Sequence, residues 1–141
     1  MIIQQLSVFL ENKSGRLAEV LEVLDKENVG ITALTVADTA EYGIVRIVTP
    51  EPAKVRDILR QNAFTCNATD VILIITPDGA KHYAKVLKSL SDVNISVEYT
   101  YAFYNGSKTM IIIKCNDNPK AMDELKKLDI DLLTSGDLYK I

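Results

Sequence analysis

The chain has 141 residues, of which 48% are apolar and 25% are charged, and its formal net charge at pH 7 is −3. These values are typical of a globular protein that buries a sizeable core. Nucleic acids and acidic membrane surfaces attract proteins through clustered Lys and Arg, which a slightly acidic chain does not favour. We therefore expect neither nucleic acid nor a membrane among its partners.

The N-terminal segment, MIIQQLSVFLE, contains a short apolar alternation that predicts a strand. It lacks the basic region and the long apolar region of a secretory signal. No apolar run approaches the roughly 18–20 residues that cross a bilayer. We expect a soluble protein with a cytoplasmic location.

Residues that could carry chemistry are few. Cys66 and Cys115 form no CxxC pair, which predicts buried or idle thiols and neither a disulfide nor a metal site. His82 is the sole histidine, no nucleophile stands out beside it, and no glycine-rich phosphate loop is present. We predict a protein that is not an enzyme and that uses no cofactor.

The hydrophobic period alternates along the chain between about 2 and 3–4 residues, which distinguishes strands from helices. In the first half, Leu17, Val20, Leu21 and Leu24 share one face of a helix that ends near Asn28. The predicted elements of this half are a strand through residue 10, the helix from Gly15, strands at 31–37 and 42–48 with a turn at 38–40, a helix with Thr49 as cap and Pro50 as first residue, and an extended segment from Phe64.

The same order recurs in the second half. A shift of 63 residues places Leu17 on Ala80 and Leu24 on Leu87, and a shift of 64 applies after the helix. A duplication of this length suits two small α+β domains, at 1–69 and 70–141, each with a four-stranded antiparallel sheet and two helices on one face. The predicted elements are a strand at 71–76, a helix at 77–90, a hairpin of 95–104 and 109–115 around Asn105-Gly106, a helix at 116–128, and extended pieces at 130–133 and 138–141.

Two helix starts and the strands that follow them resemble a known family. Asn12-Lys13-Ser14-Gly15-Arg16-Leu17 and Val29-Gly30-Ile31 resemble the ACT domain pattern of Asn-x-Pro-Gly-x-Leu, an amphipathic helix and an Ile-Asn-Ile strand start. Pro77-Asp78-Gly79-Ala80 and Val93-Asn94-Ile95 are similar in the second half. The resemblance covers nearly the whole chain and implies two tandem ferredoxin-like βαββαβ ACT domains.

The resemblance also implies a function. ACT domains commonly bind an amino acid or a similar small effector at the interface between two such domains, and they usually accompany a metabolic enzyme or a transcription regulator. We therefore expect a free-standing regulatory or sensor protein with such a partner. Sheet edges and aromatic strand residues that need cover make a homodimer the expected assembly.

The turn before the first helix can also be interpreted from its chemistry. The first N–H groups of a helix are unpaired and favour a carboxylate. Gly15 leaves room for its approach, Asn12 and Ser14 are polar, and Arg16 can add a charged hydrogen bond. Carbonyl groups at the strand starts can accept from an ammonium group. The predicted ligand-binding residues are Asn12, Ser14, Gly15, Arg16, Leu17, Val29, Gly30, Ile31, Thr32, Pro77, Asp78, Gly79, Ala80, Asn94, Ile95 and Ser96.

Simpler interpretations stay open for these residues. Ser14 is a common N-cap type with Gly15 as a plain turn residue, and the apolar strand starts suit an ordinary core. Asp78 would itself satisfy a helix N-terminus and repel an anion, which favours the first turn as the site. Replacing Gly15 with a bulky residue should then abolish effector binding and leave the fold largely intact.

Two alternatives belong to other functional classes. Tyr99, Tyr101 and Phe103 share one strand face and could stack RNA bases, although no basic surround accompanies them. The departures from the ACT pattern at Ser14 and Asp78 fit a module that only assembles with other subunits and binds no ligand.

Overall fold

A computed structural model describes residues 1–38, 41–76, 80–105, 108–128 and 130. The paired strands run antiparallel, and apolar helix faces cover them, which confirms the predicted α+β class. The described elements are β1 (Ile2–Glu11), α1 (Arg16–Lys26), β2 (Ala33–Asp38), β3 (Tyr42–Val48), α2 (Pro52–Gln61), β4 (Thr65–Thr76), α3 (Ala80–Asp92), β5 (Val97–Asn105), β6 (Lys108–Cys115) and α4 (Asn118–Leu125).

The chain divides into two compact units, of which one is Gln4–Thr69. In this unit β3 pairs with β2 on one side and with β1 on the other. Alternation along β1 directs Leu6, Val8 and Leu10 to one face, where α1 and α2 bury them. The helices supply the remaining core of this face, namely Val20, Leu24, Val55, Ile58 and Leu59.

The other unit is Asp70–Ile141 together with Met1–Ile3. Here β6 pairs with β4 and with β5. The Leu73 N–H donates to the Met1 carbonyl at 2.8 Å, which attaches the first residues of the chain to β4. The core against α3 and α4 contains Ile72, Ile74, Ile111, Ile113, Val86, Leu90, Ala121 and Leu125. The prediction that residues 1–69 and 70–141 are separate folding domains stays a prediction.

The repeat has one constant offset in the structure. Leu24 and Leu90 occupy matching buried positions in α1 and α3, and Asn28 and Asn94 both follow with a positive φ, each 66 residues apart. The strand pairs Leu6–Ile47 and Ile72–Ile113 obey the same offset. The predicted shifts, 63 in the helix and 64 after it, are therefore wrong by three and by two residues. Three residues are close to one helical turn of 3.6, so apolar residues still coincide with apolar residues after such a slip.

Several other boundaries differ from expectation or cannot be compared. Helix α2 begins at Pro52 with Glu51 as N-cap, and Thr49 instead donates to the Gly30 carbonyl at 2.7 Å. Pro52 suits the first position of a helix as well as Pro50 does, so the sequence pattern alone could not decide which of the two prolines begins α2. β4 is one strand of 12 residues where the sequence predicted two extended segments. Residues 39–40, 77–79, 106–107 and 131–141 carry the predicted turns and final strand, and they lie outside the described residues.

Candidate functional site

The turn before α1 has a glycine as its N-cap. Gly15 has a φ of +88°, in the left-handed region, and no side chain caps the helix. The alternative in which Ser14 is the N-cap is therefore wrong. Only glycine occupies this conformation without strain. Because glycine has no side chain that could accept a hydrogen bond, the N–H groups in the exposed first turn of α1 have no side-chain cap.

A cleft lies beside this turn, within the unit Gln4–Thr69, and we call it the α1 cleft. Its volume is about 170 Å³. Asn12, Arg16 and Leu17 of the predicted site line it, whereas Ser14 and Gly15 do not. The full lining is Leu10, Glu11, Asn12, Lys13, Arg16, Leu17, Val36, Asp38, Gly43 and Val45.

Gly43 forms part of the cleft floor. It lies in β3 opposite Leu10 of β1 and opposite Asp38 of β2. It shares the helix-facing side of β3 with Val45, two residues on, which is fully buried. A Cβ atom added at Gly43 would meet no atom within 4 Å, so this glycine faces open space. A glycine inside a strand is the sequence signal that could have identified this position.

Charged groups of both signs surround the opening. Lys13 pairs with Glu11 at 2.6 Å, and Arg16 forms an ion pair with Glu19. The hydrogen bond and positive charge of Lys13 hold the pKa of Glu11 below its usual value. The carboxylate of Asp38 has no ion-pair or hydrogen-bond partner in the part of the chain that the structure describes. Asp38 is therefore the acidic side chain of the cleft whose carboxylate is available to a ligand.

Arg16 lies between two clefts. Its guanidinium carbon is 5.0 Å from the centre of the Phe64 ring, and its Nε is buried without a hydrogen-bond partner. The same side chain lines a second opening of about 230 Å³, the Phe64 cleft. The Phe64 cleft is lined by Phe9, Leu10, Glu11, Arg16, Tyr42, Ala63, Phe64 and Thr65.

The predicted strand-start residues of the first half lie at the other end of α1. The Thr32 N–H donates to the Val48 carbonyl at 2.8 Å, and Val29 packs against the core. The Gly30 carbonyl accepts from Thr49, and Ile31 is exposed. An 11-residue helix is about 16 Å long, so the structure does not bring 29–32 to the α1 cleft within this unit.

The predicted residues of the second half are dispersed in a similar way. Ala80 is the exposed first residue of α3, and Ile95 is buried in the core. Asn94 has a φ of 57° after that helix, and the Ser96 N–H donates to Asn116 Oδ1 at 3.1 Å. Pro77, Asp78 and Gly79 lie outside the described residues.

The two units differ at the positions that form the cleft floor. Thr109 stands 66 residues after Gly43 and is buried, so a side chain fills the matching place. Residues 77–79, which precede α3, lie outside the described residues, so the two turns are not compared. The side chain of Thr109 favours the first unit as the place for a ligand.

The remaining candidates add no chemistry. The Nδ1 of His82 is buried without a partner, and no three His, Cys, Asp or Glu side chains of the described ranges gather as a metal site. Tyr99, Tyr101 and Phe103 are half-buried on one face of β5. No described helix is long and apolar enough to cross a membrane.

Comparisons with known proteins place this geometry in a family. The model of the ACT domain pair matches residues 1–141. The chain is 43% identical to protein BT0572 from Bacteroides thetaiotaomicron over 100% of this chain and 98% of that one, with a TM-score of 0.91. No curated protein matches it.

More distant structures share the fold. The regulatory subunit of aspartate kinase from Thermus thermophilus, in its ligand-free form, is 11% identical over 90% of this chain and 94% of that one, with a TM-score of 0.60. A putative C-terminal regulatory domain of aspartate kinase from Porphyromonas gingivalis W83 is 13% identical over 95% and 97%, with a TM-score of 0.56. The match along the full length shows that the chain belongs to the ACT domain pair family.

Proposed function

We propose that this protein is a regulatory protein that binds an amino acid or a similar small effector. The observation that carries the proposal is the α1 cleft, which opens at the predicted turn and includes Asn12, Arg16 and Leu17. The fold shared with the regulatory subunit of aspartate kinase from Thermus thermophilus supports a regulatory role. We propose no catalytic activity of its own.

The effector would act by favouring one arrangement of the protein over another. A ligand shifts an equilibrium only through its different affinity for the two states. Exposed ion pairs beside the cleft, such as Lys13–Glu11, can rearrange at little cost because surface pairs are weak. A metabolic enzyme or a transcription regulator would sense the change, in the cytoplasm.

We also propose a homodimer. Leu34 and Val36 of β2 and Leu21 of α1 are exposed large apolar side chains, with Val36 at 47%. β2 pairs with β3 only among the described strands, and an open apolar strand edge favours association. The same observation favours the second candidate function, a module that assembles without any ligand.

Thermal unfolding in the presence of each of the twenty amino acids tests the proposed function. A ligand at a hundred times its dissociation constant should raise the free energy of unfolding by about 2.7 kcal/mol. Absence of any shift, together with an unchanged dimer, would leave the assembly module as the better explanation.

A further inference from the structure

We infer that two copies of this chain associate through helix α1 of one copy and helix α3 of the other, along stripes of opposite charge. The inference rests on the homodimer proposed above and adds the two helices that form its interface. It does not depend on which effector the protein binds.

The two helices occupy equivalent places in the repeat. Their buried faces match at the offset of 66 residues, with Val20 and Leu24 of α1 at the positions of Val86 and Leu90 of α3. Because the buried faces fix the register, each exposed residue of α1 has a defined counterpart on α3.

The exposed charges are reversed between these counterparts. Three charged positions of α1 have the opposite charge on α3, namely Glu19 against Lys85, Glu22 against Lys88, and Lys26 against Asp92. All six residues are exposed. Residues three apart are neighbours on a helix surface, so Glu19 and Glu22 form one acidic stripe and Lys85 and Lys88 form one basic stripe.

The apolar residues beside the stripes are the same on both helices. Ala18 and Leu21 of α1 correspond to Ala84 and Leu87 of α3. Both alanines are exposed, and Leu21 is 37% exposed. Each helix therefore presents apolar contact area next to its charges. An interface needs this area, because exposed ion pairs alone contribute little.

Charge determines which helices can meet. Two α1 helices would place acidic stripe against acidic stripe, and two α3 helices would place basic stripe against basic stripe. Juxtaposed like charges oppose association, whereas α1 against α3 brings opposite charges together. Each copy carries both stripes, so a twofold dimer contains the α1–α3 contact twice.

Both stripes have side chains available to a second copy. Glu22 and Lys85 form no ion pair or hydrogen bond with any residue that the structure describes. Glu19 and Lys88 pair within their own helices, and 52% and 75% of their side-chain surfaces stay exposed. Surface pairs of this kind are weak, so these two side chains can exchange partners at little cost.

Sedimentation velocity over a range of protein concentrations tests the interface by charge reversal. Glu19→Lys with Glu22→Lys makes both helices basic, and Lys85→Glu with Lys88→Glu makes both acidic. Each double variant should dimerise more weakly than the natural protein by about tenfold or more, because like charges then face each other. An equimolar mixture of the two double variants should form a mixed dimer, and the variant that combines all four changes should regain the natural affinity.

A matched control reverses two acidic charges on the other helices. Asp57→Lys with Asp123→Lys changes exposed carboxylates of α2 and α4. This variant should dimerise as the natural protein does. Circular dichroism and the unfolding midpoint should be retained in all variants, since every changed residue is exposed.

The outcomes separate this inference from the proposed homodimer. If the natural protein stays monomeric, the homodimer fails and the inference fails with it. If it dimerises and both double variants dimerise equally well, the homodimer survives and the α1–α3 interface is overturned. Weakening by only one of the double variants, or failure of their mixture to dimerise, overturns the interface as well. Effector binding is tested separately by thermal unfolding.

Discussion

Gly15 and Gly43 both face open space, and they differ in backbone conformation. A Cβ atom would meet nothing within 4 Å at either position, but only Gly15 has a left-handed φ of +88°. An L-residue in that conformation is strained by its own backbone. The expectation that a bulky residue at Gly15 leaves the fold largely intact therefore needs correction, and Gly43 is the better position for testing the cleft.

We predict that Gly15→Ala lowers the free energy of unfolding by about 1–2 kcal/mol through left-handed strain. Gly43→Ala should change it by less, because neither strain nor a clash opposes the methyl group. Denaturant unfolding of both variants measures the difference. Equal losses would show that the turn does not retain its conformation in solution.

The two thiols, Cys66 and Cys115, lead to a prediction of how stability depends on pH. Burial raises the pKa of Cys66 and that of Cys115 above the usual 9.0. The folded state then keeps protons that the unfolded state loses, so the thiols contribute stability below pH 9 that is lost as the pH rises further.

We expect the free energy of unfolding to fall above about pH 9 and to fall less steeply in a Cys66→Ala, Cys115→Ala double variant. Denaturant unfolding measured between pH 7 and pH 10.5 checks this. The native protein should also react slowly with a thiol reagent until it is unfolded. Rapid labelling of the native state would contradict the burial of both thiols.

At the scale of elements, Asn118 joins three of them. Its Oδ1 accepts from the Cys115 N–H at the end of β6 at 2.9 Å, and its Nδ2 donates to the Asp70 carbonyl in β4 at 2.6 Å. The residue itself begins α4 and is buried. Its side chain therefore fixes the start of α4 against two strands.

We predict that Asn118→Ala costs more stability than Asp117→Ala at the adjacent N-cap. Asp117 accepts one exposed hydrogen bond from the Lys120 N–H, and loss of such a cap costs about 1 kcal/mol. Asn118→Ala leaves two backbone groups without partners, each at about 1–3 kcal/mol where buried. Chemical denaturation of both variants decides the order, and a reversed order would contradict the bridging role.

At the scale of the whole molecule, each unit has its own hydrophobic cluster. Leu24 belongs to the cluster of the unit Gln4–Thr69, and Leu90 to the cluster of the unit Asp70–Ile141 with Met1–Ile3. The assignment of 1–69 and 70–141 as folding domains follows from the repeat and remains a prediction. Matched substitutions at these two leucines test it.

We expect Leu24→Ala and Leu90→Ala each to destabilise its own unit by about 2–5 kcal/mol. Amide hydrogen exchange should accelerate mainly in the unit that carries the substitution, with Met1–Ile3 following Leu90→Ala. Equal acceleration throughout the chain for both variants would show one cooperative unit and would refute two folding domains.

Local pattern in the sequence was sufficient for the type and order of the described elements, except that β4 was predicted as two extended segments. Period-2 alternation marked β3 at residues 42–48, and a 3–4 period marked α1, because side-chain direction follows directly from backbone geometry. The repeat could be detected for the same reason. Its offset of 66 could not, since a helix slid by three residues presents nearly the same apolar face.

Some features of the candidate site could likewise be predicted from the sequence, and others appeared only in the tertiary structure. The sequence by itself determined the glycine turn at 12–17 and its place at a helix start. Only the tertiary structure decided that Asp38 and Gly43 share a cleft with Arg16, and that Thr109 fills the matching place in the other unit. Strand register and packing bring distant residues together, and neither is written in the local period of the chain.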